Sequence, residues 1–126
     1  MNITASAIAL RVDDAAASAE FFTSHLGFRE VVSVGEEYIC LSRDDSAADI
    51  VLLNRSAESP HGRGPTNVTV TFTVTAIAAE YARLRQEDAP ISTPLRQKPW
   101  GEWVFQLTDP NGVVIELVEW VAPAGA

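Results

Sequence analysis

Residues 10–28 read LRVDDAAASAEFFTSHLGF, and this stretch carries most of the information about the fold. Its apolar start is typical of a strand, and the aspartates at 13–14 can cap a helix N-terminus. Phe21 and Phe22 fall on one face of the predicted helix, and Gly27 is placed to end it. The stretch therefore predicts a strand followed by a short amphipathic helix.

The same order of elements occurs twice along the chain. Strand-like runs cover residues 3–12, 29–34, 38–43 and 49–54, and after a polar loop they return at 67–75, 90–97, 102–108 and 113–120. A second helix is predicted over 76–89. The pattern predicts one α+β domain spanning 1–126, with βαβββ modules at 1–56 and 66–121 and a linker at 57–65. A ferredoxin-like sandwich with extra strands is the alternative.

Length and charge narrow the classes of function. A chain of 126 residues suits one domain, and a net charge of −8 argues against nucleic acid or an anionic membrane as a partner. No apolar run approaches the ~20 residues that span a bilayer, and MNITASAIAL lacks the basic start of a secretory signal. A single cysteine, Cys40, excludes an internal disulfide. We therefore expect a cytoplasmic protein.

Two motifs together carry a family resemblance. Residues 10–28 and the hairpin TDPNGVVIELVE at 108–119 resemble the opening and closing segments of the vicinal-oxygen-chelate superfamily, which includes glyoxalases, bleomycin resistance proteins and dioxygenases. The resemblance covers nearly the whole chain. It implies two βαβββ modules that form a half-open, curled mixed sheet around a cavity, with the helices outside. It also implies a homodimer with cavities shared across two chains, as in antibiotic-resistance members.

The resemblance also locates the four positions where enzymes of the family hold a divalent metal. Here these positions are occupied by Ala7, a residue near Leu52, Thr69 and Glu116. One carboxylate does not supply the roughly three protein ligands of a catalytic site. His25 suits the C-terminal end of the first helix, as a cation that complements the helix dipole or as a surface residue, and His61 lies in the polar loop. We therefore expect neither a metal nor another cofactor.

Alternation along the second-module strands predicts which side chains line the cavity. Side chains of successive strand residues point to opposite faces. This places the following residues on the cavity side: Asn67, Thr69, Thr71, Val104, Gln106 and Glu116. The threonines have an alternative reading as solvent-facing β-formers. Glu116 needs a partner in its apolar surroundings, which a ligand, Arg11 or water could provide.

Aromatic residues are the other candidates for ligand contact. Trp100 lies in the turn KPWGEW, which resembles a stretch of mitomycin-binding members, and it can stack on a flat ligand. Its alternative role is to cover a dimer interface or the core. Trp103 is a weaker candidate, because its parity with Phe105 directs it toward the helix. Tyr38 is a further candidate wall residue.

These observations favour a metal-free, non-catalytic protein that binds a small aromatic or cationic ligand and sequesters an antibiotic or natural product. The alternative is a glyoxalase-like lyase, isomerase or cyclase that uses Glu116 as a base or has an atypical metal site. A regulatory or structural domain without a small-molecule role is the third reading.

Overall fold

A computed structural model describes residues 1–35, 37–54 and 68–120. The chain divides into two compact units, Met1–Thr66 and Asn67–Ala126. In the first unit the elements follow the order β1 (Ala7–Val12), α1 (Ala15–His25), β2 (Arg29–Val34), β3 (Tyr38–Ser42) and β4 (Asp49–Asn54). The sheet order is β1-β4-β3-β2, in which the β1–β4 pair is parallel and the other pairs are antiparallel.

The second unit repeats this arrangement. Its elements are β5 (Thr69–Thr73), α2 (Ile77–Gln86), β6 (Ile91–Gln97), β7 (Glu102–Thr108) and β8 (Val114–Trp120). The sheet order is β5-β8-β7-β6, again with one parallel pair, β5–β8. The predicted α+β fold of two βαβββ modules with unclosed mixed sheets is therefore confirmed.

The differences from the predicted elements are confined to their ends. The first and fifth strands begin later than the apolar pattern suggested, at Ala7 and Thr69, and α2 ends at Gln86. The predicted linker at 57–65 lies outside the described residues, as do Asn67 and His61. No helix in the described part of the chain is long and apolar enough to cross a bilayer.

Each helix packs on one face of its own sheet. In the first unit, Phe22 makes edge-to-face contacts with Phe21 and Phe28, with ring centroids 5.5 and 5.4 Å apart. In the second unit, Tyr81 of α2 meets Phe105 of β7 at 5.0 Å. The paired aromatics of the opening motif therefore serve the core rather than a ligand site.

The ends of α1 explain two residues of the opening motif. Asp14 caps the N-terminus by accepting a 3.1 Å hydrogen bond from the Ala17 N–H. Gly27 follows the helix with a φ of +70°, which favours glycine, and a Cβ there would lie 2.6 Å from Nη1 of Arg43. The Arg43 guanidinium occupies that space to donate a hydrogen bond to the Leu26 carbonyl oxygen.

The last strand of each module also holds the start of the helix in that module. Asn54 Oδ1 accepts a 2.7 Å hydrogen bond from the Ala15 N–H. Glu119 does the same for α2, because its two carboxylate oxygens accept from the N–H groups of Ala76 (2.9 Å) and Ile77 (3.1 Å). The carboxylate thus replaces a side-chain cap at Ala76, whose left-handed φ is +52°. The similarity of the two modules therefore includes this hydrogen bond from the last strand to the start of the helix.

Asp109 of the closing motif has a structural role. Its side chain is 3% exposed, and Oδ1 accepts hydrogen bonds from the N–H groups of Asn111 (2.9 Å) and Val113 (2.8 Å). Gly112 completes the turn with a φ of +85°. The D-P-N-G sequence therefore fixes the β7–β8 hairpin and with it the register of β8.

Candidate functional site

The candidate site lies on the face of the second sheet opposite α2, which we call the open face. Register places Thr71 beside Glu116 and Glu116 beside Gln106, and Gln106 pairs with Thr93 of the edge strand β6. These four side chains form a row across all four strands, which we call the polar row. Glu116, Gln106 and Thr93 are half-buried, and Thr71 is exposed.

Hydrogen bonds connect the polar row. Gln106 donates through Nε2 to Glu116 Oε2 at 2.8 Å. The hydroxyl of Thr93 donates to Gln106 Oε1 at 3.1 Å. Because the carboxylate accepts and the hydroxyl donates, the Gln106 amide is held in one orientation. The strand pattern predicted Gln106 on this face but not that it would be the partner of Glu116.

The polar row presents acceptor capacity to anything placed on the open face. An ionised carboxylate can accept about four hydrogen bonds, and Gln106 supplies one of them. A ligand group that donates hydrogen bonds or carries positive charge would therefore complement Glu116. A ligand group that can only accept hydrogen bonds would bind poorly against the same carboxylate, because neither group could donate a hydrogen bond to the other.

The next row toward the end of β8 is apolar. Val104 pairs with Val118, and the two side chains are 1% and 7% exposed. Val104 therefore lies on the predicted face, in a covered position beside the polar row. Thr69 also lies on this face, at the start of β5, and it is exposed. The exposure of Thr69 and Thr71 agrees both with a role in lining the cavity and with a role as solvent-facing β-formers.

Trp100 lies in the turn between β6 and β7. The turn is closed by hydrogen bonds from the Lys98 N–H to the Glu102 carbonyl oxygen (2.7 Å) and from the Gly101 N–H to the Lys98 carbonyl oxygen (2.9 Å). Gly101 has a φ of +104°. Trp100 is 55% exposed, and Lys98 Nζ lies 5.8 Å from its ring centroid. Core packing is therefore not the role of Trp100 within this unit.

Trp103 does not join the candidate site. It pairs with Glu119, whose carboxylate binds the start of α2, and it alternates with Val104 along β7. Trp103 therefore lies on the α2 side, as its parity with Phe105 indicated. The prediction that it lines the same site as Gln106 is corrected by this register.

Trp120 is a residue that the sequence pattern did not single out. It is the last residue of β8, pairs with Glu102, and is 59% exposed. Because it lies two and four residues beyond Val118 and Glu116, it shares their face. Alternation counted in steps of two from Glu116 is the sequence signal that identifies it.

The open face of the first sheet has a different character. Register aligns Ala9, Val51, Cys40 and Val32 in the row equivalent to the polar row. Burial, and secondarily the negative charge of Asp49, raises the pKa of the half-buried Cys40 thiol. Tyr38 is half-buried on this same face. Tyr38 belongs to the first unit, and the other candidate residues belong to the second.

The register also identifies which residue near Leu52 is equivalent to Glu116. Glu116 pairs with Thr71, two residues after Thr69, and the corresponding partner of Ala9 is Val51. The equivalent of Glu116 is therefore Val51, whereas Leu52 is fully buried on the helix side. A valine side chain has no lone pairs to offer a metal. Across residues 1–35, 37–54 and 68–120, no three His, Cys, Asp or Glu side chains come together as a metal site.

Comparisons with known proteins agree with this architecture. Solved structures with similar folds include TioX from Micromonospora sp. ML1, with 17% identity, a TM-score of 0.73, and coverage of 94% of this chain and 99% of that one. They also include a lactoylglutathione lyase from Agrobacterium tumefaciens, with 18% identity, a TM-score of 0.68, and coverage of 90% and 91%.

A glyoxalase/bleomycin resistance protein/dioxygenase from Nocardioides has 19% identity and a TM-score of 0.77, with coverage of 100% of this chain and 87% of that one. No curated protein sequence matches the chain significantly. The family model described as Glyoxalase/Bleomycin resistance protein/Dioxygenase superfamily matches residues 4–117. The chain belongs to the Glyoxalase/Bleomycin resistance protein/Dioxygenase superfamily.

Proposed function

We propose that this protein is a metal-free binding protein that sequesters a small aromatic ligand carrying a cationic or hydrogen-bond-donating group. The observation that carries the proposal is the polar row, in which Thr93 and Gln106 hold the carboxylate of Glu116 on an open sheet face. A preoriented carboxylate and an exposed tryptophan in the same unit offer charge-assisted binding at one point and stacking at another. Sequestration requires affinity alone, so it places no demand on a metal.

Family membership leaves both binding and catalysis open. The similar structures include one titled lactoylglutathione lyase and one titled TioX, and at 17–18% identity they support the fold alone. The choice between binding and catalysis must therefore rest on the residues of this chain. Ala7, Val51 and Thr69 stand at three of the four metal positions, and this favours binding over metal-dependent chemistry.

The enzyme alternative keeps one supporting observation. Glu116 is half-buried and lies on an open face, where a carboxylate can act as a general base for an isomerase, lyase or cyclase. Gln106 donates a hydrogen bond to one carboxylate oxygen, Oε2. Turnover of a bound ligand that stops in Glu116→Gln while binding persists would favour this alternative.

The assembly and compartment belong to the same proposal. We expect a homodimer, because both sheets are unclosed and leave edge strands such as β2 and β6. We expect a cytoplasmic location, in keeping with a single free cysteine. Sedimentation equilibrium at micromolar concentration would test the dimer, and a single species of about 13.6 kDa would contradict it.

The proposal is tested by calorimetric titration with daunorubicin, a planar antibiotic with a basic amine, and with N-acetyldaunorubicin, which lacks the charge. We expect the charged ligand to bind about tenfold or more tightly, because a charged hydrogen bond contributes ~1.5–3 kcal/mol. Glu116→Gln should abolish that preference, whereas Glu30→Gln, an exposed change in the first unit, should preserve it. Equal affinities in the wild type, or a preference that survives Glu116→Gln, would refute the proposed role of the polar row. Stoichiometric metal in the purified protein would refute the metal-free reading.

A further inference from the structure

We infer that Trp120 and Trp100 together form a second contact region on the open face, which binds the planar part of the ligand about 13 Å from the carboxylate of Glu116. This inference rests on the proposed function and deepens it by naming a ligand class. That class is a flat, fused-ring molecule whose donor or cationic group lies at the end of an arm, rather than on the ring system itself.

The position of Trp120 follows from the register of β8. Glu116, Val118 and Trp120 occupy every second residue of one strand and share the open face. The first is a carboxylate with a bound donor, the second is buried, and the third is a 59% exposed indole. Along β8 the character of this face therefore changes from polar to apolar to aromatic. A ligand that reaches both ends must therefore bridge the covered Val118, which contributes little exposed surface of its own.

Trp100 reaches the same end of the sheet from the neighbouring hairpin. Trp120 pairs with Glu102, and the turn that holds Trp100 begins immediately beyond this pair. Paired residues lie about 5 Å apart, and two residues of chain add at most roughly 7 Å. The two indoles are therefore attached within about 12 Å of each other. Two side chains at that spacing can contact the same fused-ring ligand.

The charges around the two indoles favour an uncharged aromatic group at this end. Lys98 Nζ lies 5.8 Å from the Trp100 ring centroid, so a cation already occupies the vicinity of that ring. The Glu102 side chain adds one negative charge beside Trp120, and the two formal charges cancel. A ligand cation would gain more at Glu116, where Gln106 holds the carboxylate in place.

The distance between the two contact regions follows from strand geometry. Four residues separate Glu116 from Trp120, and each adds about 3.3 Å along a strand. The donor group and the ring system must therefore be separated by roughly 10–13 Å, which an arm of about seven or eight single bonds spans. A fused-ring cation with the charge on the ring cannot satisfy both regions at once.

The test compares two fluorescent acridines that share one ring system. One carries a primary amine at the end of an eight-carbon alkyl arm that is attached to position 9 by a carbon–carbon bond, and the other carries a plain alkyl arm of equal length, so that both ring systems are uncharged in a weakly alkaline buffer. Acridine anisotropy reports binding, so removal of a tryptophan does not remove the signal. We expect the amine-bearing acridine to bind more tightly, and we expect Trp120→Ala to weaken both probes about tenfold. Trp120→Phe should restore most of the affinity, and Val31→Ala, which removes an exposed apolar side chain of the first unit, should leave it unchanged.

The outcomes separate this inference from the proposed function. If Glu116→Gln weakens daunorubicin or the amine-bearing acridine but Trp120→Ala changes neither probe, the inference fails and the role of Glu116 stands. If Trp120→Ala weakens the binding of both acridines and Glu116→Gln changes neither affinity, the role of the two tryptophans is supported and the proposed role of the polar row is refuted. Failure of both acridines to bind at millimolar concentration would overturn the fused-ring class, whatever the result with daunorubicin.

Discussion

Replacement of Asp109 tests whether the closing D-P-N-G motif of this chain is structural. Asp109→Ala removes the oxygen that accepts from the N–H groups of Asn111 and Val113. The Val113 residue is fully buried, so its N–H would lose a partner in a place that water does not reach. That loss costs about 2 kcal/mol, and the half-buried Asn111 N–H adds about 0.5–1. We therefore expect a loss of about 2.5–3 kcal/mol of unfolding free energy and a fall in Tm of about 8–12 °C.

Urea unfolding at pH 7, followed by tryptophan emission, is a suitable assay because all three tryptophans lie in the second unit. Asp109→Asn keeps an oxygen in place and should cost about 1 kcal/mol or less. Asp44→Ala breaks an exposed ion pair with Arg29 and should change stability by no more than about 0.5 kcal/mol. The reasoning is refuted if Asp109→Ala is no more destabilising than Asp44→Ala, or if it abolishes ligand binding at unchanged stability.

Three further changes probe the helix ends and the thiol. Glu119→Ala should lower the unfolding free energy by about 1–2 kcal/mol in the same assay, and Glu119→Gln by less, because the N–H groups of Ala76 and Ile77 at the start of α2 lose their acceptor. Gly27→Ala should cost about 1–2 kcal/mol by urea unfolding, since its φ is +70° and the new Cβ would displace Arg43; full stability would contradict this. The rate at which iodoacetamide alkylates Cys40 should reach half its maximum at a higher pH in the folded protein than in the urea-unfolded chain, because burial raises the pKa of the thiol. Equal midpoints in the two states would contradict this prediction.

Most of the fold was predictable because the determining signals are local. The Asp14 cap, the Gly27 terminator and the D-P-N-G turn each act within a few residues, and each lies where the sequence placed it. Strand ends were less predictable, since the apolar pattern of 3–12 and 67–75 continues beyond the residues that pair. Pairing partners, rather than side-chain character, decide where β1 and β5 begin.

The candidate site was predictable in part, because alternation gives the face of a residue but not its neighbours across the sheet. It places Gln106 and Glu116 on one face and Trp103 on the other, as the register shows. It could not show that Gln106 hydrogen-bonds Glu116 or that Thr93 orients the amide, since both contacts depend on cross-strand register. The two bulges in β6 shift that register in a way that counting residues does not reveal.

The two modules differ in the rows that correspond to the family's metal positions, and this difference favours the proposed binding function more strongly than any single position does. Equivalent rows of the two sheets now contain Ala9, Val51, Cys40 and Val32 in the first unit and Thr71, Glu116, Gln106 and Thr93 in the second. The family resemblance implies two metal ligands from each module, but the side chains of the first row offer one polar atom, the Cys40 thiol, whose pKa is raised by burial. The second row uses its carboxylate in a hydrogen-bonded chain that runs within one sheet. Because that chain is complete without the other module, the polar character of the second row can serve recognition of a ligand rather than metal coordination.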